Sequence, residues 1–89
     1  MPVVNLRAPL ADLVGNRSVQ LSGDTVGEVI AALELNHPKA KGWVLDEAGA
    51  IRRHISVFLD GERVSADAGV ASDGAIDIIP AISGGSRDA

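Results

Sequence analysis

Ser22-Gly23-Asp24-Thr25-Val26-Gly27-Glu28-Val29-Ile30 is the stretch that decides how this chain folds. Thr25 and Glu28 are spaced as a capping box, in which each side chain satisfies an amide donor that the first helical turn leaves free; Asp24 is the alternative cap. Val26, Val29, Ile30 and Leu33 then recur at i, i+3, i+4 and i+7, which is one face of a helix. Asn36-His37-Pro38 ends it, because a proline pushes the residue before it out of helical geometry. The spacing therefore predicts one amphipathic helix from about residue 26 to 36.

Outward from the helix, the flanks read as strands. Val3-Val4-Asn5-Leu6-Arg7 alternates and is ended by Pro9. Leu10, Leu13 and Val14 form an apolar cluster before a turn at Gly15-Asn16, and Ser18-Val19-Gln20-Leu21 alternates again, so the two strands suggest an antiparallel pair. After the helix, residues 39–52 predict a short helical turn carrying Trp43 and Leu45 inward, then a loop at Ala48-Gly49-Ala50. Arg53 to Leu59 predicts a strand with Ile55, Val57 and Leu59 on one face. Asp60-Gly61 is a strong hairpin turn leading into a short strand at Arg63-Val64. Asp73-Gly74 is a further turn, and Ala75 to Pro80 is the last strand, with Ile76 and Ile78 facing the core. One helix cannot cover both faces of a sheet, so the other face meets water or a partner. The expected class is α+β, a β-grasp: a mixed sheet curled around one long helix. Residues 1–80 form that domain and 81–89 a flexible tail.

Composition narrows the chemistry. With 89 residues there is room for one domain, and 46% hydrophobic residues suffice for a core. Trp43 and Phe58 are the only aromatics, so that core is built of Val, Ile, Leu and Ala. There is no cysteine, which excludes disulfides and any cysteine nucleophile or persulfide on this chain. The formal charge is −4, and Arg52-Arg53 is the only basic pair, far short of a nucleic-acid footprint. No apolar run approaches the ~20 residues of a membrane span, and the first residues lack an export pattern, so the expected location is the cytoplasm. His37 and His54 have no partners at metal-ligand spacing. Asp46-Glu47 and the serines form no nucleophile–base arrangement. The expectation is a non-enzyme that binds no metal and no cofactor itself.

Two features remain. If Ile55, Val57 and Leu59 point inward, Phe58 points to the open face, and by the same alternation so does Ile79. Together they form a candidate docking patch; the alternative is that both lie under the Leu10–Val14 segment. The second feature is the tail. Pro80 ends the last strand, and Ala81-Ile82-Ser83-Gly84-Gly85 can reach ~17 Å at ~3.3–3.6 Å per residue. Gly84 and Gly85 remove side chains where a backbone would thread a narrow active site. Ser86-Arg87-Asp88-Ala89 follow them.

Taken together, the helix start, the hairpin Ile55-Ser56-Val57-Phe58-Leu59-Asp60-Gly61-Glu62 and the run from Asp73 to Gly85 resemble the MoaD/ThiS-like family of ubiquitin-fold sulfur carriers, most closely its CysO-like branch. The resemblance covers residues 2–85. It implies that the carboxylate of Gly85 is adenylated by an E1-like enzyme using ATP and magnesium, then converted to a thiocarboxylate. Ile82, Ser83 and Gly84 would thread into the partner. Since four residues follow Gly85, it also implies a precursor cut between Gly85 and Ser86 by a zinc-dependent JAMM-type protease. The sulfur acceptor implied is a PLP-dependent cysteine synthase. The family's other uses are molybdopterin synthesis, thiamin thiazole formation and secondary metabolism, and a ubiquitin-like protein modifier is the reading of a different class.

Overall fold

The structure, a computed structural model, describes residues 1–80. The elements follow in the order β1 (Val3–Asn5), α1 (Leu10–Val14), β2 (Ser18–Gln20), α2 (Val26–Asn36), a 3₁₀ turn (Pro38–Ala40), β3 (Ile55–Leu59), β4 (Glu62–Arg63) and β5 (Ala75–Pro80). The five strands form one mixed sheet in the order β2-β1-β5-β3-β4. β1 and β5 are parallel, with Val4 opposite Ile76, and every other pair is antiparallel. β5 thus lies at the centre of the sheet, held on both sides over Ala75–Asp77 and paired with β3 as far as Pro80.

α2 forms where the capping box placed it, and its free amides are fully used. Glu28 N–H donates to Thr25 Oγ1 at 3.1 Å, while Val26 and Gly27 N–H donate to the carbonyls of Ala68 and Ala66 at 2.9 and 2.7 Å. Val29 N–H already bonds within the helix, to the Thr25 carbonyl. The returning Glu28 carboxylate differs from a standard box: it accepts from Asp24 N–H at 2.8 Å, one residue before the cap. Gly23 has to be glycine, since a Cβ there would sit 2.8 Å from the Val29 backbone nitrogen.

Val26, Val29, Ile30 and Leu33 are the buried residues of α2. They meet Val4, Ile55, Val57, Ile76 and Ile78 from the sheet's inner face, and each such side chain removed from water stabilises the fold by roughly 1.5–3 kcal/mol. Leu10 and Val14, expected only as an apolar cluster, sit on α1 and close one end of this core. α1 packs against the 3₁₀ turn on the helix side of the sheet. Among the described residues no polar or charged side chain is fully buried.

Two expectations are corrected by packing. β1 is shorter than expected, ending at Asn5 with one further bond in the same register from Leu6 N–H to Arg17 O, and β3 starts only at Ile55 because Ile55 N–H bonds back to Arg52 O in a turn. Trp43 does not point inward; it is 39% exposed, and Val44 and Leu45 fill the core instead. The reason is a backbone anchor. Val44 and Leu45 N–H both donate to Glu34 Oε2 on α2, at 3.0 Å each, which draws residues 44 and 45 under the helix and leaves Trp43 at the surface. The rest of the segment closes as a small hairpin, with Leu45 bridged to Ile51 and Asp46 Oδ1 accepting from Ala48 and Ala50 N–H.

Candidate functional site

The expected hairpin forms at Asp60-Gly61, both at positive φ (50° and 91°), which is the two-residue turn that matches strand twist. It fixes the parity of β3. Ile55 and Val57 are buried, Leu59 packs against the core, and Ser56 and Phe58 face the other way. On β5 the same alternation buries Ile76 and Ile78 and turns Ala75, Asp77 and Ile79 outward.

Phe58 and Ile79 therefore share the outer face of the sheet, as the sequence parity required. They are not directly opposed. Phe58 pairs in register with Asp77, and Ile79 pairs with Ser56, so the two apolar side chains are diagonal neighbours, within reach at the ~7–8 Å typical of such positions. Both are half-buried and neither belongs to the core cluster. The alternative placement under residues 10–14 is not what the fold adopts, because Leu10 and Val14 point into the core.

Asp77 sits between this apolar pair and β1. Its carboxylate accepts from Asn5 Nδ2 at 3.0 Å, a bond that joins the two parallel central strands on the open face. The sequence held no signal for that contact, because residues 5 and 77 meet only through a parallel pairing. Beyond it an open cleft of about 820 Å³ runs along the end of the sheet, lined by Asn5, Arg7, Asp12, Asn16, Arg17 and Asp77 among others.

Ile82, Ser83, Gly84, Gly85 and the Gly85–Ser86 junction lie outside the described residues. What the fold contributes to them is their root: Pro80, paired with Ile55 at the end of the central strand. His37 and His54 stand apart on either side of the 38–53 segment, and among the described residues no three His, Asp or Glu side chains converge as metal ligands. Among the same residues no helix is long and apolar enough to cross a membrane.

Comparison with known proteins gives this geometry a family. The ThiS family pattern matches residues 4–85. The sulfur carrier protein CysO of Mycobacterium tuberculosis is 35% identical over 77 residues, covering 80% of this chain and 83% of that protein. The small archaeal modifier protein 1 of Haloferax volcanii is 32% identical over 83 residues, covering 90% of this chain and 95% of that protein. A chain of the Amycolatopsis orientalis BexX/CysO complex superposes with a TM-score of 0.86 at 28% identity, covering 94% of this chain and 99% of that one. With the β-grasp sheet, the single long helix and a match that runs from the first strand to Gly85, this chain belongs to the ThiS family.

Proposed function

We propose that this chain is the precursor of a sulfur carrier whose working end is the carboxylate of Gly85. The observation that carries the reading is where the family likeness stops: the ThiS match ends at residue 85, whereas the sequence continues through Ser86-Arg87-Asp88-Ala89. Cleavage between Gly85 and Ser86, by a zinc-dependent JAMM-type protease, exposes the carboxylate. An E1-like enzyme then uses ATP and magnesium to form the acyl-adenylate with loss of pyrophosphate. A sulfur donor displaces AMP to leave the thiocarboxylate.

The chain supplies a handle and a reach rather than catalysis. The central strand β5 fixes the root of the tail at Pro80, and Ile82, Ser83 and Gly84 are the residues that enter the partner's channel. Phe58 and Ile79, on the outer face of the strands that hold the root, are the docking patch. No side-chain thiol is needed, which suits a sequence with no cysteine. The acceptor that the likeness to CysO favours is a PLP-dependent cysteine synthase, in the cytoplasm; molybdopterin synthase and a secondary-metabolite enzyme are the other acceptors of the same class.

The test is ATP-dependent thiocarboxylate formation on chains ending at Gly85 and at Ala89, read by intact mass. The reading expects exchange of one oxygen for sulfur on the shorter chain alone. The likeness to a small archaeal modifier protein favours a second reading, in which activated Gly85 is joined to lysines of target proteins. Conjugates that survive thiol reductant and vanish on deletion of Gly84-Gly85 would establish it.

A further inference from the structure

The charges of this acidic protein are sorted along the strand axis. β5 runs from Ala75, beside Asp60, to Pro80, beside Ile55, and β1 runs parallel to it. The end at which β5 and β1 finish therefore gathers Arg7, just after β1, Arg17, whose carbonyl accepts from Leu6 N–H just before β2, and Arg53, in the turn before β3. All three are exposed. Lys39, within the 3₁₀ turn that packs on α1, and Lys41, just after it, are also exposed and extend this cationic side toward the helix. The acids near this end are Asp12 on α1, Asp77, already engaged by Asn5, and Asp46 and Glu47 in the hairpin beside Arg52, where Asp46 Oδ1 is taken up by Ala48 and Ala50 N–H. The opposite end carries Asp24, Asp60, Glu62 and Asp73, all exposed, with Arg63 the cation beside them.

We propose that Arg7, Arg17 and Arg53 form a cationic collar around the root of the tail, which docks on an acidic rim at the mouth of the partner's active-site channel. The collar rests on the reading of the tail as the delivered group, and it adds the chemistry of the surface that receives it. Charge complementarity is the argument. A chain of formal charge −4 would be repelled as a whole by an acidic surface, but its dipole presents the positive end, and that is the end from which the tail emerges. The acidic end is then turned away, so the same field that attracts also orients the tail toward the channel. A partner mouth lined by lysine or arginine would meet the wrong end of this molecule.

One measurement on the full chain and one on the chain ending at Gly85 test it. Titration of the isotope-labelled full-length protein with a short polyglutamate peptide at low salt is expected to shift amide resonances of Arg7, Arg17, Arg53 and His54, and the shifts should vanish near 0.5 M salt, where screening reaches only a few ångströms. No shift, or largest shifts at Arg63 and β4, overturns the collar. In ATP-dependent thiocarboxylate formation, R7Q/R17Q/R53Q is expected to raise KM about tenfold with kcat within about twofold. The control Q20E/S22D/S72D changes three exposed residues at the far end. Each triple variant moves the formal charge by three, from −4 to −7, so net charge alone cannot separate them. Equal KM for the two variants overturns the proposal, as does a wild-type KM indifferent to salt. R7K/R17K/R53K should restore KM. Absence of thiocarboxylate from every form refutes the carrier reading, whereas the peptide titration still decides the collar.

Discussion

Truncating Glu34 should loosen the whole 41–52 segment. Both bonds from Val44 and Leu45 converge on one oxygen, Oε2, and the two residues they hold are 0% and 8% exposed. Glu34→Ala leaves two backbone donors near the core without an acceptor. A hydrogen bond to a charged group contributes ~1.5–3 kcal/mol when buried; Glu34 itself is half-buried, so solvent takes back part of each. The expected loss is about 2–3 kcal/mol in all. Glu34→Gln keeps an oxygen in place that can accept both bonds and loses only the charge, for about 1 kcal/mol. Urea denaturation measures both, and Trp43, the only tryptophan, sits at the start of the segment and reports its release by fluorescence. A change in Trp43 emission before the global transition in Glu34→Ala would locate the effect in the loop. A Glu34→Ala variant within about 0.5 kcal/mol of wild type, or a Gln variant as unstable as Ala, would show that the Glu34 carboxylate does not anchor the segment.

Three further outcomes follow from the same geometry. Thr25→Ala removes the acceptor of Glu28 N–H and should cost ~1 kcal/mol in chemical denaturation, with Thr25→Ser nearly neutral. Leu33→Ala empties a fully buried site facing the sheet and should cost ~2–5 kcal/mol; a smaller loss would mean that the core collapses around the cavity. Phe58→Ser, on the outer face, should change stability by less than about 1 kcal/mol while raising the KM for activation, and an unchanged KM would remove Phe58 from the docking patch.

The parts legible in the sequence were those written in short-range patterns. The helix followed from Thr25, Glu28 and the spacing Val26, Val29, Ile30, Leu33, and the outward turn of Phe58 and Ile79 followed from strand parity anchored at Asp60-Gly61. Trp43 was misplaced because its orientation is set by Glu34, nine residues earlier on another element, and hydrophobicity alone assigned the largest side chain to the core. The centrality of β5 and the Asn5–Asp77 bond depend on a parallel pairing across more than seventy residues, which no local pattern encodes. The proposed collar was hidden for the same reason: Arg7, Arg17 and Arg53 are scattered in sequence, and strand pairing alone places them toward one end of the folded sheet. The tail was legible only through family likeness, since two glycines near a chain end carry little information by themselves.

Whether Gly85 becomes the reactive terminus is decided by the mass of the protein recovered from its own cells. The expected result is a species ending at Gly85, part of it carrying sulfur in place of one oxygen, and a shift to the uncut species when Gly85→Ala or Ser86→Pro blocks the junction. A population that retains Ser86-Arg87-Asp88-Ala89 throughout, while the sulfur-dependent product is still made, would contradict it.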